Sequence, residues 1–254
     1  MSVAELSTPG VHYRDSPLES RRFGLPVGRL TVAGTDATPG WQHQVADVLD
    51  GCGAEVVVTR WPAREAAVAA TLAAQGRRVI PADNLVYWEV PTAALVERYA
   101  DPGEACRTGA LDAAQLDALV LDTFADYPSH YSANPLFPAD LALAGYREWA
   151  EHSRSSSPDL VVSLHEGREP IGVATCAVDG DLDILLAGIA SAHQGRGHYA
   201  RLLAGVARLA SDLDVPRIVI STQAGNVNVQ RAWARAGFVP FAAFATAHLV
   251  RQDP

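Results

Sequence analysis

"HQGRGHYARLL" (His193–Leu203) places two glycines around one arginine, after a strand-like apolar segment and before an amphipathic one. The residues after Gly197 put Tyr199, Leu202 and Leu203 on one face, as in a helix that packs on a sheet. The first turn of such a helix leaves backbone N–H groups unpaired, and glycine lets an anion approach them. The order strand, glycine loop, helix therefore predicts a pyrophosphate-binding loop, and a tight turn with incidental glycines is the alternative.

Composition indicates the class of protein and limits its partners. The chain has 254 residues, 48% hydrophobic and 19% charged, which is typical of a globular protein with a buried core. Its net charge of −9 argues against a nucleic-acid partner. All 20 basic residues are arginines, so a bound anion must be held by backbone N–H groups or by arginine.

Cysteines and apolar runs bear on the cellular compartment. Cys52, Cys106 and Cys176 are widely spaced and form no zinc or redox pattern, so the sequence predicts reduced thiols and no metal site. The longest apolar run, around Ile184–Ala192, is too short to cross a bilayer, and "MSVAELSTPG" lacks the features of a signal peptide. We expect a cytoplasmic protein without a membrane partner.

The first hundred residues alternate strand and helix signals. Strand patterns occur in "VGRLTVAG", "AEVVVTR" and "NLVYWEV", and helical patterns occur in "WQHQVADVLDGCG" and "PAREAAVAATLAAQG". The segment "DPGEACRTGA" (Asp101–Ala110) is rich in turn formers and is the candidate linker. The sequence thus predicts a small N-terminal α/β domain over 1–105 and a second domain over 106–254.

The second part begins with helical segments at "LDAAQLDALVLDTFADY" and "ADLALAGYREWAEHSR", joined by the polar and aromatic loop "PSHYSANPLFPAD". From Leu160 the pattern changes to a hairpin of "LVVSLHE" and "PIGVATCAV", followed by a third strand, "LDILLAGIAS". After the helix that follows Gly197 come the strand "PRIVIST", a short helix around Val227–Ala236 and a last strand from Phe238.

Two ordered signatures resemble those of the GNAT N-acetyltransferase superfamily. The spacing Gln-x-x-Gly from Gln194 to Gly197 resembles its acyl-CoA loop. The segment "NVNVQRAWARAGF" resembles its second signature, in which Asn226 precedes the aromatic Trp233 by seven positions. The resemblance implies an α/β (α+β) fold with a mixed, largely antiparallel sheet whose central strands splay apart. It also implies an enzyme that transfers an acyl group from acetyl-CoA to an amine.

Within that superfamily, the sequence looks like the dTDP-fucosamine acetyltransferases. The similar segments are "LLAGIASAHQGRGHYARLL", "STQAGNVNVQRAWARAGF" and "ATAHLV", with weaker likeness in "YREW" and "RRFGLPVGRL". Those enzymes N-acetylate the 4-amino group of a nucleotide-linked deoxysugar. The resemblance therefore implies a small-molecule amine as acceptor, namely a dTDP-linked amino-deoxysugar. It leaves the oligomeric state open, a homodimer included.

The resemblance also implies a role for each part of the site. Backbone groups of Gly188 and Ile189 would face the acyl carbonyl as oxyanion donors. Asn226 would hydrogen-bond the pantetheine arm, a role compatible with that of an ordinary helix N-cap. The residues that would cradle the pyrophosphate are Gln194, Gly195, Arg196, Gly197, His198 and Tyr199. The residues implied on the acceptor side are His130, Tyr131, Asn134, Tyr146 and Trp149.

Two positions depart from the superfamily pattern. Tyr199 stands where the loop usually has glycine or alanine, and Trp233 stands at the position of the tyrosine proposed as general acid. An indole N–H donates a hydrogen bond but is too weak an acid to release a proton at neutral pH. Either the thiolate leaves with a hydrogen bond from Trp233 alone, or water or a nearby histidine, with His198 as a candidate, protonates it. His165 and Glu166 either act together as a base or mark the end of a hairpin strand.

Three functions stay open at this stage. The first is acetylation of a nucleotide-linked amino sugar. The second keeps the acetyl-CoA site but takes another small amine or a natural-product metabolite as acceptor. The third is a non-catalytic GNAT-like protein that binds CoA without turnover, for which Trp233 is the main support.

Overall fold

The computed structural model describes residues 3–252 of the chain. In chain order, its helices and strands are α1 (Val3–Ser7), β1 (Gly10–Asp15), α2 (Pro17–Phe23), β2 (Val27–Ala33), α3 (Trp41–Gly51), β3 (Val56–Pro62), α4 (Ala67–Ala73), β4 (Arg78–Pro91), α5 (Thr92–Arg98), β5 (Cys106–Thr108), α6 (Ala113–Phe124), α7 (Ala139–Ser156), β6 (Val161–Glu166), β7 (Glu169–Asp179), β8 (Asp181–Ile189), α8 (His198–Asp212), β9 (Arg217–Gln223), α9 (Val227–Ala236) and β10 (Val239–Val250). Short 3₁₀ turns include His130–Ala133 and Ser191–His193.

The described residues fall into two compact units that interleave along the chain. Unit 1 takes residues within 1–86, 128–142 and 242–254, and unit 2 takes those within 87–127 and 143–241. This division does not coincide with the sequence-based boundary between residues 105 and 106. The 128–142 segment belongs to unit 1 because Tyr131 and Phe137 pack there against Phe23. In the expected linker Asp101–Ala110, β5 pairs with β6 of unit 2.

Unit 1 is built on strands in the order β1-β2-β3-β10. β1 and β2 are antiparallel, β2 and β3 are parallel, and β3 pairs antiparallel with β10 from Pro62↔Phe244 to Val56↔Val250. Because β3 continues through Pro62, the helix predicted to open at that proline begins only at Ala67. Two clusters of apolar side chains form the core, one around Trp41, Val45 and Leu72 and the other around Phe23 and Val58.

Unit 2 carries the strands expected from the second half of the sequence. The order is β9-β8-β7-β6-β5, antiparallel from β5 to β8, with a parallel pairing of β8 and β9. Helix α8 buries Leu202, Leu203 and Val206 against this sheet, because its apolar residues recur on one face. The mixed, largely antiparallel α+β fold class predicted from the sequence is confirmed. Among residues 3–252, no helix combines the length and apolar character that crossing a bilayer requires.

Candidate functional site

The glycine loop lies between β8 and α8 in unit 2. Gly195 (φ 75°) and Gly197 (φ 79°) both adopt the left-handed conformation that side-chain-bearing residues rarely take. A Cβ built on either glycine would meet no heavy atom within 4 Å, so the space outside the loop is open. Gly197 is the N-cap residue of α8. Because glycine has no side chain to accept a capping hydrogen bond, N–H groups of the first helical turn stay available to an anion.

Hydrogen bonds brace the start of this loop. The Gln194 side-chain amide donates to the carbonyl oxygen of Ile189 at 3.0 Å. The Ser191 hydroxyl donates to Asp122 Oδ1 at 2.7 Å, and the Ser191 N–H also donates to the Asp122 carboxylate. The loop therefore holds its shape without a ligand, with Gln194 serving as an internal brace.

The central strands β8 and β9 separate next to the loop. Their register runs from Leu182↔Ile218 to Ile184↔Ile220, and no later pair joins them within the described residues. β8 nevertheless continues to Ile189 along β7, with Gly188 opposite Val173. A Cβ on Gly188 would lie 2.0 Å from Thr123 Cγ2, so only glycine fits where α6 packs on this strand. The result is the splay that the sequence resemblance implies.

Polar side chains at the end of β9 form a connected network beside this splay. The Tyr127 hydroxyl lies 3.1 Å from Thr222 Oγ1 and also donates to Gln223 Oε1. The Asn226 side-chain amide donates to Thr222 Oγ1 at 3.1 Å. Asn226 occupies the N-cap position of α9, but its side chain makes no capping hydrogen bond. Its amide is thus committed to this network rather than to the helix end.

The two positions that depart from the superfamily pattern contact each other. The indole Nε1–H of Trp233, which is 2% exposed, donates to the Tyr199 hydroxyl at 2.9 Å, and the indole packs edge-on against Trp88. Burial raises the pKa of Tyr199 to about 12, against the lowering effect of the indole hydrogen bond. Since an indole can only donate, the Tyr199 oxygen accepts, and its own proton is free for another acceptor.

His198 faces away from this pair, toward Glu166. His198 Nε2 lies 3.5 Å from Glu166 Oε1, and His193 Nδ1 lies 3.3 Å from Glu166 Oε2. His165, which the sequence analysis coupled with Glu166, instead pairs with the Ser163 hydroxyl at 2.9 Å, and burial lowers its pKa. Sequence reasoning missed the cluster of Glu166, His193 and His198 because its members come from different elements.

The predicted acceptor-side residues divide between the two units. On α7 of unit 2, Tyr146 stacks on Phe124 and meets Tyr127 edge-on, with ring centroids 5.4 Å and 5.8 Å apart, whereas Trp149 is 40% exposed. In unit 1, His130, Tyr131 and Asn134 are all buried. The structure therefore places Tyr146 beside the polar network at the end of β9, and it packs His130, Tyr131 and Asn134 within unit 1.

His130 and Tyr131 belong to a buried polar cluster of unit 1. Arg29 donates to both carboxylate oxygens of Glu19, at 2.7 and 2.8 Å, and the Tyr131 hydroxyl also donates to Glu19. Burial alone would raise the pKa of Glu19, but the charge and hydrogen bonds of Arg29 outweigh it and lower that pKa to about 2. His130 Nδ1 lies 3.0 Å from His248 Nε2, and burial lowers the pKa of His130 well below its usual value and that of His248 to about 4.

Comparison with known proteins agrees with this geometry. Residues 120–238 match the model of the acetyltransferase (GNAT) family. The matched range includes the glycine loop, the splayed strands, Asn226 and Trp233. No curated protein matches the chain by sequence.

Several solved structures share the fold at low sequence identity. A GCN5-related N-acetyltransferase from Sphaerobacter thermophilus is 17% identical, covers 95% of this chain and 76% of its own, and has a TM-score of 0.61. One from Kribbella flavida is 14% identical, with coverages of 89% and 82% and a TM-score of 0.56. The GCN5-related glucosamine N-acetyltransferase region of a fungal multi-domain β-N-acetylglucosaminidase is 12% identical, with coverages of 94% and 31% and a TM-score of 0.59.

Proposed function

We propose that this chain, a GNAT-type N-acetyltransferase that uses acetyl-CoA as co-substrate, acetylates the amino group of a nucleotide-linked amino-deoxysugar. The observation that carries the proposal is the braced, open glycine loop beside strands that separate after Ile184↔Ile220. The sugar acceptor is supported by the sequence resemblance to dTDP-fucosamine acetyltransferases. A cytoplasmic location, where acetyl-CoA is available, belongs to the same proposal.

In the proposed acetyl-CoA site, backbone groups contact both the pyrophosphate and the acyl carbonyl. N–H groups between Gln194 and Tyr199 bind the pyrophosphate, with exposed Arg196 adding positive charge at the rim. The unpaired edge of β8 near Gly188 and Ile189 meets the pantetheine arm and the acyl carbonyl. Asn226, already turned from its helix end toward Thr222, hydrogen-bonds the arm.

In the proposed reaction, the amine nitrogen attacks the thioester carbonyl carbon, the C–S bond breaks, and the sulfur leaves as a thiolate that takes up a proton. The N–C bond forms as the C–S bond breaks, the amine nitrogen releases one proton to water, and water returns a proton to the group that protonated the sulfur, so atoms and charge balance. We assign the proton that reaches the sulfur to the Tyr199 hydroxyl, and Trp233 holds that hydroxyl by its indole hydrogen bond. A phenol that stays neutral at physiological pH can donate a proton, which an indole cannot.

On the acceptor side, Tyr146 and Trp149 of α7 are the proposed contacts within unit 2. The assignment of His130, Tyr131 and Asn134 to the acceptor rests on the resemblance alone and stays a prediction. His198 stays a second candidate for the proton donor, although its Nε2 lies toward Glu166.

The test is thiol release from acetyl-CoA in the presence of a panel of amines. The panel contains dTDP- and UDP-linked amino-deoxysugars, free glucosamine, simple alkylamines and natural-product amines, with product mass to confirm acetylation. We expect the highest kcat/KM with a nucleotide-linked amino sugar. A preference for amines that lack the nucleotide would overturn the acceptor class. Tight CoA binding without thiol release from any amine would support the non-catalytic function instead.

A further inference from the structure

Three potential metal ligands meet on unit 2. Glu166 ends β6, His193 lies in the turn that follows β8, and His198 is the first residue of α8. One ligand atom from each lies within 4.8 Å of the other two. The imidazole nitrogens approach different oxygens of the same carboxylate, at 3.3 Å for His193 Nδ1 and 3.5 Å for His198 Nε2.

These separations fit ligands of one ion better than hydrogen bonds. Zinc–nitrogen and zinc–oxygen bonds of about 2.0–2.1 Å in tetrahedral geometry place neighbouring ligand atoms roughly 3.3–3.5 Å apart. A charge-assisted N–H···O hydrogen bond would instead bring nitrogen and oxygen to about 2.7–2.9 Å. Each imidazole thus lies at a ligand-like distance from one oxygen of the Glu166 carboxylate, and the three groups offer ligand atoms within 4.8 Å of one another.

Burial gives a second, independent indication. Among the residues that the structure describes, His193 Nδ1 and His198 Nδ1 are buried side-chain atoms without a hydrogen-bond partner. A buried polar atom left unpaired is costly, so such atoms call for an explanation. A cation bound to the lone pair of His193 Nδ1 would satisfy that nitrogen, which is the one that lies toward Glu166. His198 would bind the same ion through Nε2, so its Nδ1 does not count as support for the site.

We propose that Glu166, His193 and His198 form a binding site for a divalent transition-metal ion, of which Zn²⁺ is the representative. Two imidazoles and one carboxylate favour Zn²⁺, Co²⁺ or Ni²⁺ over Mg²⁺ and Ca²⁺, which prefer ligand sets made of oxygen. Three protein ligands leave one coordination position open. The ion would tie the end of β6 to both sides of the glycine loop, because His193 and His198 flank that loop. The binding site itself does not rest on the proposed acyl transfer.

The experiment uses Co²⁺ as a spectroscopic probe on the full chain after treatment with a chelator. We expect one Co²⁺ per chain, with visible absorption of a nitrogen- and oxygen-coordinated ion, and displacement of Co²⁺ by Zn²⁺. Glu166→Gln and His193→Gln should each weaken Co²⁺ binding about tenfold or more. The matched control is His152→Gln, which removes an exposed histidine of α7 in the same unit and should leave the affinity unchanged.

Circular dichroism of each variant shows whether the fold is intact, so that loss of binding is not mistaken for unfolding. Three results would overturn the proposal: no Co²⁺ binding by the wild-type chain, equal affinity in all three variants, or thiolate-to-cobalt absorption that assigns the ion to a cysteine. Any of these would leave Glu166 as an ion-pair partner of the two histidines.

Discussion

Units 1 and 2 place their polar groups in opposite ways. In unit 1, Glu19 is 2% exposed and its carboxylate oxygens accept from Arg29, Ser16 and Tyr131. In unit 2, the polar groups of the glycine loop are backbone N–H groups beside open space. Buried polar groups that satisfy each other stabilise a fold, whereas a braced but open loop is suited to a ligand. The comparison predicts that variants of unit 1 change stability and that variants of the loop change binding.

The largest effect is expected from Glu19→Gln in unit 1. The substitution removes the buried charge that Arg29 faces and leaves that cation, whose side chain is 22% exposed, without its partner. Since breaking a fully buried pair costs about 3–5 kcal/mol, we expect a loss near the lower end of that range. The free energy of unfolding from denaturant titration measures this effect. Glu5→Gln is the matched control, because the Glu5–Arg14 contact is 3.8 Å long and exposed, and exposed pairs contribute less than about 1 kcal/mol. An equal loss in both variants would show that the buried cluster has no special role.

The second prediction is a loss of stability on mild acidification. Burial lowers the pKa of His248 from its ordinary value of 6.5 to about 4, so below pH 6.5 the unfolded chain binds a proton that the folded chain does not. The stabilisation is therefore complete above pH 6.5 and is lost as the pH falls toward 4. By linkage, one such histidine costs about 2 kcal/mol between pH 7 and pH 5. The comparison is kept above pH 4.5, because below that pH the lowered pKa of Glu19 also reduces the free energy of unfolding as the pH falls.

Unfolding titrations at pH 7 and pH 5 measure this loss, and His248→Asn should reduce it. His43→Gln removes an exposed histidine of α3 in the same unit and should leave the pH dependence intact. A wild-type stability that is flat between these pH values would contradict the neutral, buried state of the histidine pair.

The third prediction concerns the chemistry of unit 2. Tyr199→Phe should lower kcat by about 10²-fold, because general-acid help is typically worth that much. It should also lower the free energy of unfolding by about 1–3 kcal/mol, because the buried indole N–H of Trp233 loses its acceptor. Pre-steady-state thiol release separates this step from binding. An unchanged kcat would remove Tyr199 as the proton donor and favour water or His198.

The fourth prediction tests whether the open glycine loop binds the pyrophosphate of CoA. Gly197→Val should weaken CoA binding at least tenfold, or about 1.4 kcal/mol, because φ of 79° disfavours valine and its side chain enters the anion site. Calorimetry with CoA measures the change. Gly225→Ala is a matched control, since this glycine has an ordinary φ and a Cβ there meets nothing within 4 Å. Equal CoA affinity in wild type and Gly197→Val would place the pyrophosphate elsewhere.

Sequence reasoning succeeded where the signal is local. The 3.6-residue period after Gly197 and the strand patterns from Leu160 onward predict α8 and β6 to β9 closely, because each element carries its own signal. Unit 1 could not be delimited in this way. Its division depends on β10 pairing with β3, for instance Val250 with Val56, and on Tyr131 packing against Phe23. Pairings between residues so distant in the chain leave no mark in composition or period.

The candidate site shows the same limit. Motif spacing predicts the glycine loop and the position of Asn226, because a loop followed by the start of a helix is a local arrangement. The hydrogen bond from Trp233 to Tyr199 and the meeting of Glu166 with His193 were not found, because each joins residues on separate elements. Two departures from a motif looked independent in the sequence and are in contact in the structure.

The smallest effect is expected from Trp233→Phe. The substitution removes the indole hydrogen bond but leaves the Tyr199 phenol, so we expect kcat to fall only a few-fold, about 1 kcal/mol, the usual worth of one neutral hydrogen bond. The fall should appear in kcat rather than in KM, because the indole positions a group that acts during bond breaking. If Trp233 instead supplied the decisive hydrogen bond to the thiolate, Trp233→Phe would be far more damaging than Tyr199→Phe. The double variant decides between these outcomes: with Tyr199 as the donor, adding Trp233→Phe to Tyr199→Phe should cost almost nothing more, because the indole then has no hydroxyl to hold.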